Sequence, residues 1–203
     1  CMGILEYFPF KTFREQQREA LEEIAEAYNS GFKYLLLEAP TGFGKSPVGV
    51  CATRYLGTGH LVTASKQLQD QYRNDFPDIP VVKGRGNFTC LLRTRDGQML
   101  TCAQGRCVIG LTCKLKDECP YYAQKSVGFT APITIYNYSY FLAEQLHAGD
   151  IPYRSLLLLD EAHSIEAEIS SAMEIEFTDK SLEGLVKKFF IPDLGSDPAD
   201  WQP

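Results

Sequence analysis

The chain has 203 residues, 44% of them hydrophobic and 12% aromatic, which is enough for one substantial core, alone or with an insertion. Its longest apolar run, Leu156–Leu159, is far shorter than the roughly 20 residues of a membrane-spanning helix, and no basic and then apolar leader opens the chain. The net charge of −6 is unfavourable for a nucleic-acid-binding protein taken as a whole, and we expect a cytoplasmic protein, or a nuclear one in a eukaryote, with no membrane partner.

Helices and strands are predicted to alternate along the first 80 residues. Apolar residues with helical spacing indicate an amphipathic helix that ends before Asn29-Ser30-Gly31. A continuous run, Leu35-Leu36-Leu37, is typical of a parallel strand covered on both faces. The predicted elements are a helix at 12–28, a strand at 34–38, a helix at 46–55, a strand at 61–63 and a helix at 66–76.

The segment Ala39–Ser46 has the composition of a phosphate-binding loop, with Ala39 in place of the usual first glycine. Gly42 and Gly44, after Thr41, would let backbone N–H groups converge on phosphate oxygens. Lys45 would place a cation on the outer phosphates, and Ser46 would offer its hydroxyl to Mg²⁺. The alternative is a glycine turn with a chance lysine, but the predicted strand before it and helix after it favour phosphate binding.

Residues 83–125 interrupt the alternation and are predicted to be an insertion. This segment holds eight Lys and Arg against three Asp and Glu, so it is either a contact for phosphates or an ordinary solvated surface. It also holds five of the seven cysteines, and in a reducing compartment clustered cysteines are more often metal ligands than disulfides. Cys51, on the apolar side of the helix after the phosphate loop, is interpreted as a core thiol.

The regular alternation resumes after the cysteines. Ile133–Ile135 and Leu156–Leu159 are predicted to be buried strands, with a helix at 138–147 between them. After Ile165 the chain turns polar and helical. These elements predict a three-layer α/β fold around a parallel sheet.

Carboxylates follow the last predicted strand, in the sequence Asp160-Glu161-Ala162-His163. Asp160 would hold Mg²⁺, and Glu161 would orient or deprotonate an attacking water, because phosphoryl transfer is catalysed by positioning and charge neutralisation. The simpler interpretation is that the two acids cap the next helix and that His163 is structural. The phosphate loop upstream favours the catalytic interpretation.

Taken together, these motifs resemble the first motor domain of the XPD/DinG family of iron-sulfur superfamily-2 helicases, from about Phe8 to Ile165. The resemblance implies a RecA-like P-loop NTPase domain at 8–82 and 126–165, an iron-sulfur insertion at 83–125 and the start of a helical arch at 166–203. The motifs that carry it, in order, are Arg14-Glu15-Gln16-Gln17, 38–46, 63–69, 83–90, Cys119-Pro120-Tyr121-Tyr122, Tyr136-Asn137-Tyr138 and 160–163.

The resemblance also implies a [4Fe-4S] cluster held by four cysteines. Cys90 and Cys119 match the first and last ligands of the family, and Cys113 fits a third by its short gap to Cys119. We take Cys107 as the remaining ligand, since the C-x5-C-x5-C spacing is close to that of DinG-like members, with Cys102 as the contender. Thiolates suit zinc as well, so ligand chemistry alone does not select the metal.

By the same resemblance, Arg14 and Gln17 should recognise the adenine side of ATP, although both could be solvated polar residues. The family contacts the translocating strand at the positions of Thr63, Lys66 and Gln69. The residues expected near the DNA path are Tyr136, Asn137 and Tyr138, whose rings could stack on bases or belong to the core, and the cations Arg85, Arg93 and Arg95.

The function implied is ATP-dependent DNA helicase activity, moving 5′ to 3′ on single-stranded DNA and forked duplex, with ATP and Mg²⁺. In the family a second RecA-like domain completes the ATP site, and no such motifs follow Ile165, so we expect weak hydrolysis by this chain alone. One alternative is a zinc-stabilised nucleic-acid-binding module without unwinding activity. Another is a structural subunit that recruits repair or replication proteins.

Overall fold

The structure, a computed structural model, describes residues 3–109 and 111–174. Its helices are α1 (Gln17–Asn29), α2 (Lys45–Leu56), α3 (Lys66–Asp75), α4 (Pro120–Thr130), α5 (Tyr138–Ala143) and α6 (Ile165–Met173). Its strands are β1 (Gly59–Thr63), β2 (Thr89–Arg93), β3 (Met99–Thr101), β4 (Ile133–Asn137) and β5 (Leu156–Leu159). A π-helical turn, Glu144–Ala148, continues α5. The predicted helices are therefore present, and so are the strands predicted at 61–63, 133–135 and 156–159.

A parallel sheet of three strands forms the centre of the described residues, in the order β4-β1-β5. In β1, Thr63 pairs with Asn137 of β4, and Val62 pairs with Leu159 of β5. The carboxyl ends of the three strands therefore lie at one edge of the sheet. In open α/β sheets this edge is where ligands bind.

Helices cover both faces of the sheet, as the three-layer prediction requires. On one face, Leu61 and Ile135 pack with Val50 of α2 and Tyr72 of α3. On the other face, Val62 and Tyr136 of the sheet pack with four aromatic residues of α4 and α5, namely Tyr121, Tyr138, Tyr140 and Phe141. Alternate strand residues thus point to opposite faces, and each face has its own apolar cluster. This α/β arrangement is compatible with a RecA-like fold.

The cysteine-rich segment has a different construction. Its strands β2 and β3 form an antiparallel hairpin with an irregular register, followed by short 3-10 turns at Cys102–Gln104 and Arg106–Ile109. Helix α4 then begins with Pro120 directly after Cys119, because the first helical position needs no N–H donor. Neither the hairpin nor helix α4 was predicted from the sequence.

The prediction of a strand at 34–38 was wrong. These residues make no ladder in the described sheet, and Tyr34 and Leu36 are 92% and 89% exposed. A run of leucines supplies apolar surface, but a strand also needs a neighbour for its backbone hydrogen bonds. Helix α1 also starts later than predicted, because Gln16 has a left-handed backbone (φ +65°).

The described residues up to Ala172 belong to one compact unit. The expected arch at 166–203 falls largely outside the described residues, and the separation of 83–125 as a domain stays a prediction. Across 3–109 and 111–174, no helix is both long and apolar enough to span a membrane.

Candidate functional site

The phosphate loop leads directly into α2. Gly42 and Gly44 both have left-handed backbones, with φ of +88° and +86°, which a residue with a side chain rarely adopts. Gly44 precedes the first residue of α2, and the Lys45 ammonium donates to the carbonyl oxygen of Ala39 at 3.1 Å. The loop therefore places Lys45 and Ser46 at the N-terminus of a 12-residue helix, where N–H groups favour an anion.

Arg14 and Gln17 hold this loop from outside. The buried Gln17 amide donates to the carbonyl oxygens of Phe43 at 2.8 Å and Gly44 at 3.2 Å. The Arg14 guanidinium donates to the Gly42 carbonyl oxygen. A Cβ atom on Gly44 would lie 2.5 Å from the Gln17 amide nitrogen. Both this close contact and the left-handed backbone therefore require glycine at this position. In this structure both residues support the loop backbone.

Asp160 follows β5 at the carboxyl edge of the sheet. Its Oδ2 atom accepts a hydrogen bond from the Tyr72 hydroxyl at 3.0 Å, and its Oδ1 atom accepts one from the Glu161 N–H at 3.1 Å. The Tyr138 hydroxyl donates to the Asp160 carbonyl oxygen at 3.0 Å. Burial raises the pKa of Asp160, and the Glu161 charge raises it further, whereas Tyr72 and Lys45 lower it. The carboxylate is thus partly buried, near a cation and firmly oriented.

Glu161 occupies a left-handed conformation with φ of +55°, which is uncommon for a residue other than glycine. Its carboxylate lies 3.4 Å from His163 Nδ1, and the His163 side chain is 78% exposed. Strained backbone at such a position is often found at functional sites. Glu161 and His163 are therefore accessible beside the better-buried Asp160.

The predicted strand-contact residues divide into buried and exposed side chains. Thr63 is fully buried, and its hydroxyl donates to the Ser65 carbonyl oxygen at 3.2 Å. Gln69 is also buried, and its amide donates to the Val82 carbonyl oxygen at 3.2 Å. Lys66, at the start of α3, is exposed. Of these three side chains, only Lys66 is available to a nucleic acid in this structure.

Tyr136 and Tyr138 are core residues, with 0% and 1% of their surface exposed. The Tyr136 ring stacks on Tyr140, with centroids 6.0 Å apart and planes within 6°. Asn137, between them, caps α5 by accepting a hydrogen bond from the Tyr140 N–H at 3.1 Å. The alternative that these aromatic rings belong to the core, rather than to a base-stacking surface, describes this structure.

Four cysteines converge in the cysteine-rich segment. The Sγ atoms of Cys102 and Cys119 are 3.9 Å apart. A Cβ atom on Gly105 would lie 3.4 Å from Cys90 Sγ and 3.6 Å from Cys107 Sγ, so the missing side chain leaves room where these sulfurs approach. Burial is the main cause that raises the pKa of the Cys102 thiol, and with the neighbouring Cys119, Cys90 and Cys107 it brings the pKa to about 12.

The structure thus brings Cys102, the contender, to three of the cysteines chosen from the sequence. No contact described in 3–109 and 111–174 joins Cys113 to them. Within the same residues, no group of three or more His, Cys, Asp or Glu side chains is arranged to hold a metal ion. The sulfurs are therefore gathered, but they are not in the arrangement of a single-ion site.

Arg85 connects the sulfurs to α4. One of its nitrogens donates to Cys107 Sγ at 3.2 Å, and another donates to the Tyr122 hydroxyl at 3.2 Å. Its guanidinium also lies 4.5 Å from the centre of the Tyr121 ring, a cation–π distance. Arg93, in contrast, is exposed on the hairpin. Arg93 is thus the freer of these two predicted DNA-binding cations.

A polar cluster lies on the other side of Tyr121. The Tyr121 hydroxyl donates to Glu144 Oε1 and pairs with the Tyr140 hydroxyl, each at 3.3 Å. Lys125 lies 2.7 Å from Glu144 Oε2, and both side chains are largely buried. Burial disfavours the charge on Lys125, but the contact with Glu144 outweighs it and raises the Lys125 pKa. This cluster ties α4 to the end of α5.

Sequence reasoning missed two residues of the site. Cys102 was placed second because spacing along the chain does not reveal which sulfurs meet after folding. Tyr72 was not considered at all, although a signal existed. Tyr72 and Phe76 are four residues apart in a predicted helix, the spacing of one buried face.

Comparison with known proteins agrees with this geometry at a coarse level. The model of a family described as DEAD_2 matches residues 109–182, just over a third of the chain, including Cys113, Cys119 and the Asp160–His163 box. No curated protein matches the chain. The family match indicates a DEAD/DEAH-like helicase domain in the area of XPD and DinG, and it supports a nucleotide-dependent, ATP-hydrolysing function.

Proposed function

We propose that this chain is the first motor domain of an ATP-dependent DNA helicase that moves 5′ to 3′ on single-stranded DNA and opens forked duplexes. The observation that carries the proposal is the meeting of Asp160 with the N-terminus of α2 at the carboxyl edge of a parallel sheet. Lys45 is near enough to lower the pKa of Asp160, which supports a single site for both nucleotide motifs. A second motor domain is the expected partner.

The residues present fit ATP and Mg²⁺. The N–H groups of the loop and the Lys45 ammonium suit phosphate oxygens, and Ser46 and Asp160 offer the oxygen ligands that Mg²⁺ prefers. When bound, Mg²⁺ neutralises charge on the phosphates. Glu161 lies beside this site with its carboxylate accessible, where it can orient the attacking water.

For the cysteine-rich segment, we propose a metal centre held by Cys90, Cys102, Cys107 and Cys119. This set differs from the one taken from the sequence, because Cys102 rather than Cys113 lies near the other three sulfurs. Arg85 supports the assignment, since an N–H donor to a ligand sulfur stabilises the thiolate form. A [4Fe-4S] cluster is the group expected from the resemblance, and thiolates are its usual ligands.

One observation favours the alternative of a zinc-stabilised nucleic-acid-binding module. With a Zn–S distance of about 2.3 Å in a tetrahedral site, two sulfurs are about 3.8 Å apart. The 3.9 Å between Cys102 and Cys119 is close to that value. The other two sulfurs are not arranged with them to hold a single ion, so zinc remains the second choice.

The first test measures ATP binding by the full chain with Mg²⁺, using a fluorescent ATP analogue. We expect Lys45→Ala to weaken binding about 10- to 100-fold, since a hydrogen bond to a charged group contributes about 1.5–3 kcal/mol. Lys33→Ala, a change of an exposed lysine, is the matched control and should bind normally. Equal binding by both variants would contradict the nucleotide site.

The second test measures iron, acid-labile sulfide and zinc in protein purified without oxygen. About four irons and four sulfides per chain would support the helicase with an iron-sulfur cluster. One zinc without sulfide would support the binding module. Strand separation on forks with a 5′ or a 3′ tail, with the second motor domain present, then tests the direction of movement.

A further inference from the structure

Tyr72 is a buried tyrosine whose hydroxyl reaches the candidate nucleotide site. It lies on α3 with 2% of its surface exposed, and its ring packs beside Phe76, with centroids 5.7 Å apart, in the cluster that contains Leu61 and Ile135. The hydroxyl donates to Asp160 Oδ2 at 3.0 Å. The core therefore fixes the ring, and the hydroxyl is the part of Tyr72 that contacts the candidate nucleotide site.

The same hydroxyl is also close to Ser46. Burial raises the pKa of Tyr72 far above its ordinary value and the Asp160 charge raises it further, whereas the nearby Ser46 side chain lowers it. The Tyr72 hydroxyl, which donates to Asp160 Oδ2, therefore lies beside the side chain of Ser46 and the carboxylate of Asp160, the two groups that the proposed function assigns to Mg²⁺. A donor in this place can fix both side chains at once.

The simpler interpretation is that Tyr72 is a core residue whose hydroxyl only finds a hydrogen-bond partner in Asp160. The hydrogen bonds of the Asp160 carboxylate argue against it. In the described part of the chain, the Tyr72 hydroxyl is the one donor to Oδ2, while Oδ1 has the Glu161 N–H. Without Tyr72, the carboxylate could rotate about its last torsion and turn Oδ2 away. Partners of this kind orient metal ligands, and their loss typically costs 10- to 100-fold in metal affinity.

We propose that Tyr72 is a positioning residue that orients Asp160, together with Ser46, for the divalent cation that accompanies the nucleotide. The inference rests on the proposed function, since it concerns the same site. It adds that α3 takes part in cation binding, although α3 lies outside both nucleotide motifs. Lys66, the exposed residue at the start of α3, therefore shares a helix with a group that acts on Asp160.

The test measures Mn²⁺ binding to the full chain in the presence of ATP, by the electron paramagnetic resonance signal of free Mn²⁺. We expect Tyr72→Phe to weaken Mn²⁺ binding about 10- to 100-fold and to leave ATP affinity without divalent cations unchanged. A merely structural role would change both affinities or neither. The matched control is Tyr140→Phe, which removes a buried hydroxyl that pairs with Tyr121 and should leave both affinities unchanged.

Wild-type Mn²⁺ affinity in Tyr72→Phe would overturn the inference and leave the proposed function standing. Absence of Mn²⁺ and ATP binding in the unmutated chain would instead overturn the proposed function, and the inference with it. If Tyr72→Phe does not fold, 3-fluorotyrosine placed at position 72 of the otherwise unmutated chain replaces it. Mn²⁺ with ATP should then broaden its fluorine resonance, and an unbroadened resonance would overturn the inference.

Discussion

All five residues of β1 are buried, and so are four of the five in β4, whereas exposed and half-buried residues alternate along β2. Among the described residues of 89–119, only Cys102 and Gly105 are buried. Apolar burial therefore accounts for the order of the sheet, but it does not account for the order of the cysteine-rich segment. A segment with so little core is expected to depend on cross-links, and its gathered sulfurs are the groups that can supply them.

The largest effect should follow from disruption of the proposed metal centre. We expect Cys102→Ser to lose most of the bound metal and the amides of β2 and β3 to exchange at least about 100-fold faster, because metal binding supplies folding energy there. Cys113→Ser is the matched control and should keep the metal. Hydrogen exchange read by mass spectrometry checks both regions in one experiment, with β1 and β4 expected to change little.

Normal metal content in Cys102→Ser with loss in Cys113→Ser would restore the ligand set taken from the sequence. Unchanged exchange in β2 and β3 after complete loss of metal would show that the cysteine-rich segment, like the parallel sheet, does not depend on a metal for its order.

An intermediate effect is expected from Gly128→Ala in α4. A Cβ atom there would lie 2.2 Å from Val82 Cγ2 and 3.1 Å from Thr134 Cγ2, so the core would be overpacked. We expect unfolding free energy to fall by about 1–3 kcal/mol, although alanine is the better helix former. Chemical denaturation measures this. The control is Gly86→Ala in the cysteine-rich segment, where a Cβ atom would meet nothing within 4 Å. It should change the free energy of unfolding by less than about 0.5 kcal/mol.

The smallest effect concerns pH. Burial lowers the pKa of His60 in β1, and nearby Arg154 lowers it further, against a hydrogen bond to the Pro152 carbonyl oxygen that raises it. Below its ordinary pKa of about 6.5, the unfolded chain binds a proton that the folded chain does not, so stability falls as pH decreases. His60→Phe should flatten this dependence by at most about 1.4 kcal/mol per pH unit.

Denaturation midpoints between pH 7 and pH 5 provide the measurement, and His147→Phe, a change of an exposed histidine, is the control. An equal slope in His60→Phe and the unmutated chain would mean that His60 is not the group that makes the sheet sensitive to acid.

The helices and strands that depend on local sequence pattern were predicted correctly. The strands at Leu61 and Leu156 and the helices after Lys45 and Lys66 follow from apolar periodicity and from turn residues, and they formed as expected. The segment at 34–38 did not form a strand, because a ladder needs a partner that no local pattern specifies. The phosphate loop was recognisable because its glycines must stand in a fixed order before a helix.

The rest of the site depends on residues that are far apart in the chain. Tyr72 and Asp160 are 88 positions apart, and only the fold brings the hydroxyl to the carboxylate. The sequence left the choice between Cys102 and Cys107 open, and the fold brings both sulfurs into one group with Cys90 and Cys119. The buried states of Thr63 and Gln69 likewise follow from how α3 lies against the sheet.

The contacts from Cys107 through Arg85 and Tyr121 to Glu144 have a mechanical consequence. Each step is a stacking contact, a hydrogen bond or an ion pair between groups held by different elements. A pull on Cys107 would therefore be resisted by α4 and by the turn that continues α5. Force applied to the segment would reach α5, the helix whose Tyr138 hydroxyl donates to the carbonyl oxygen of Asp160.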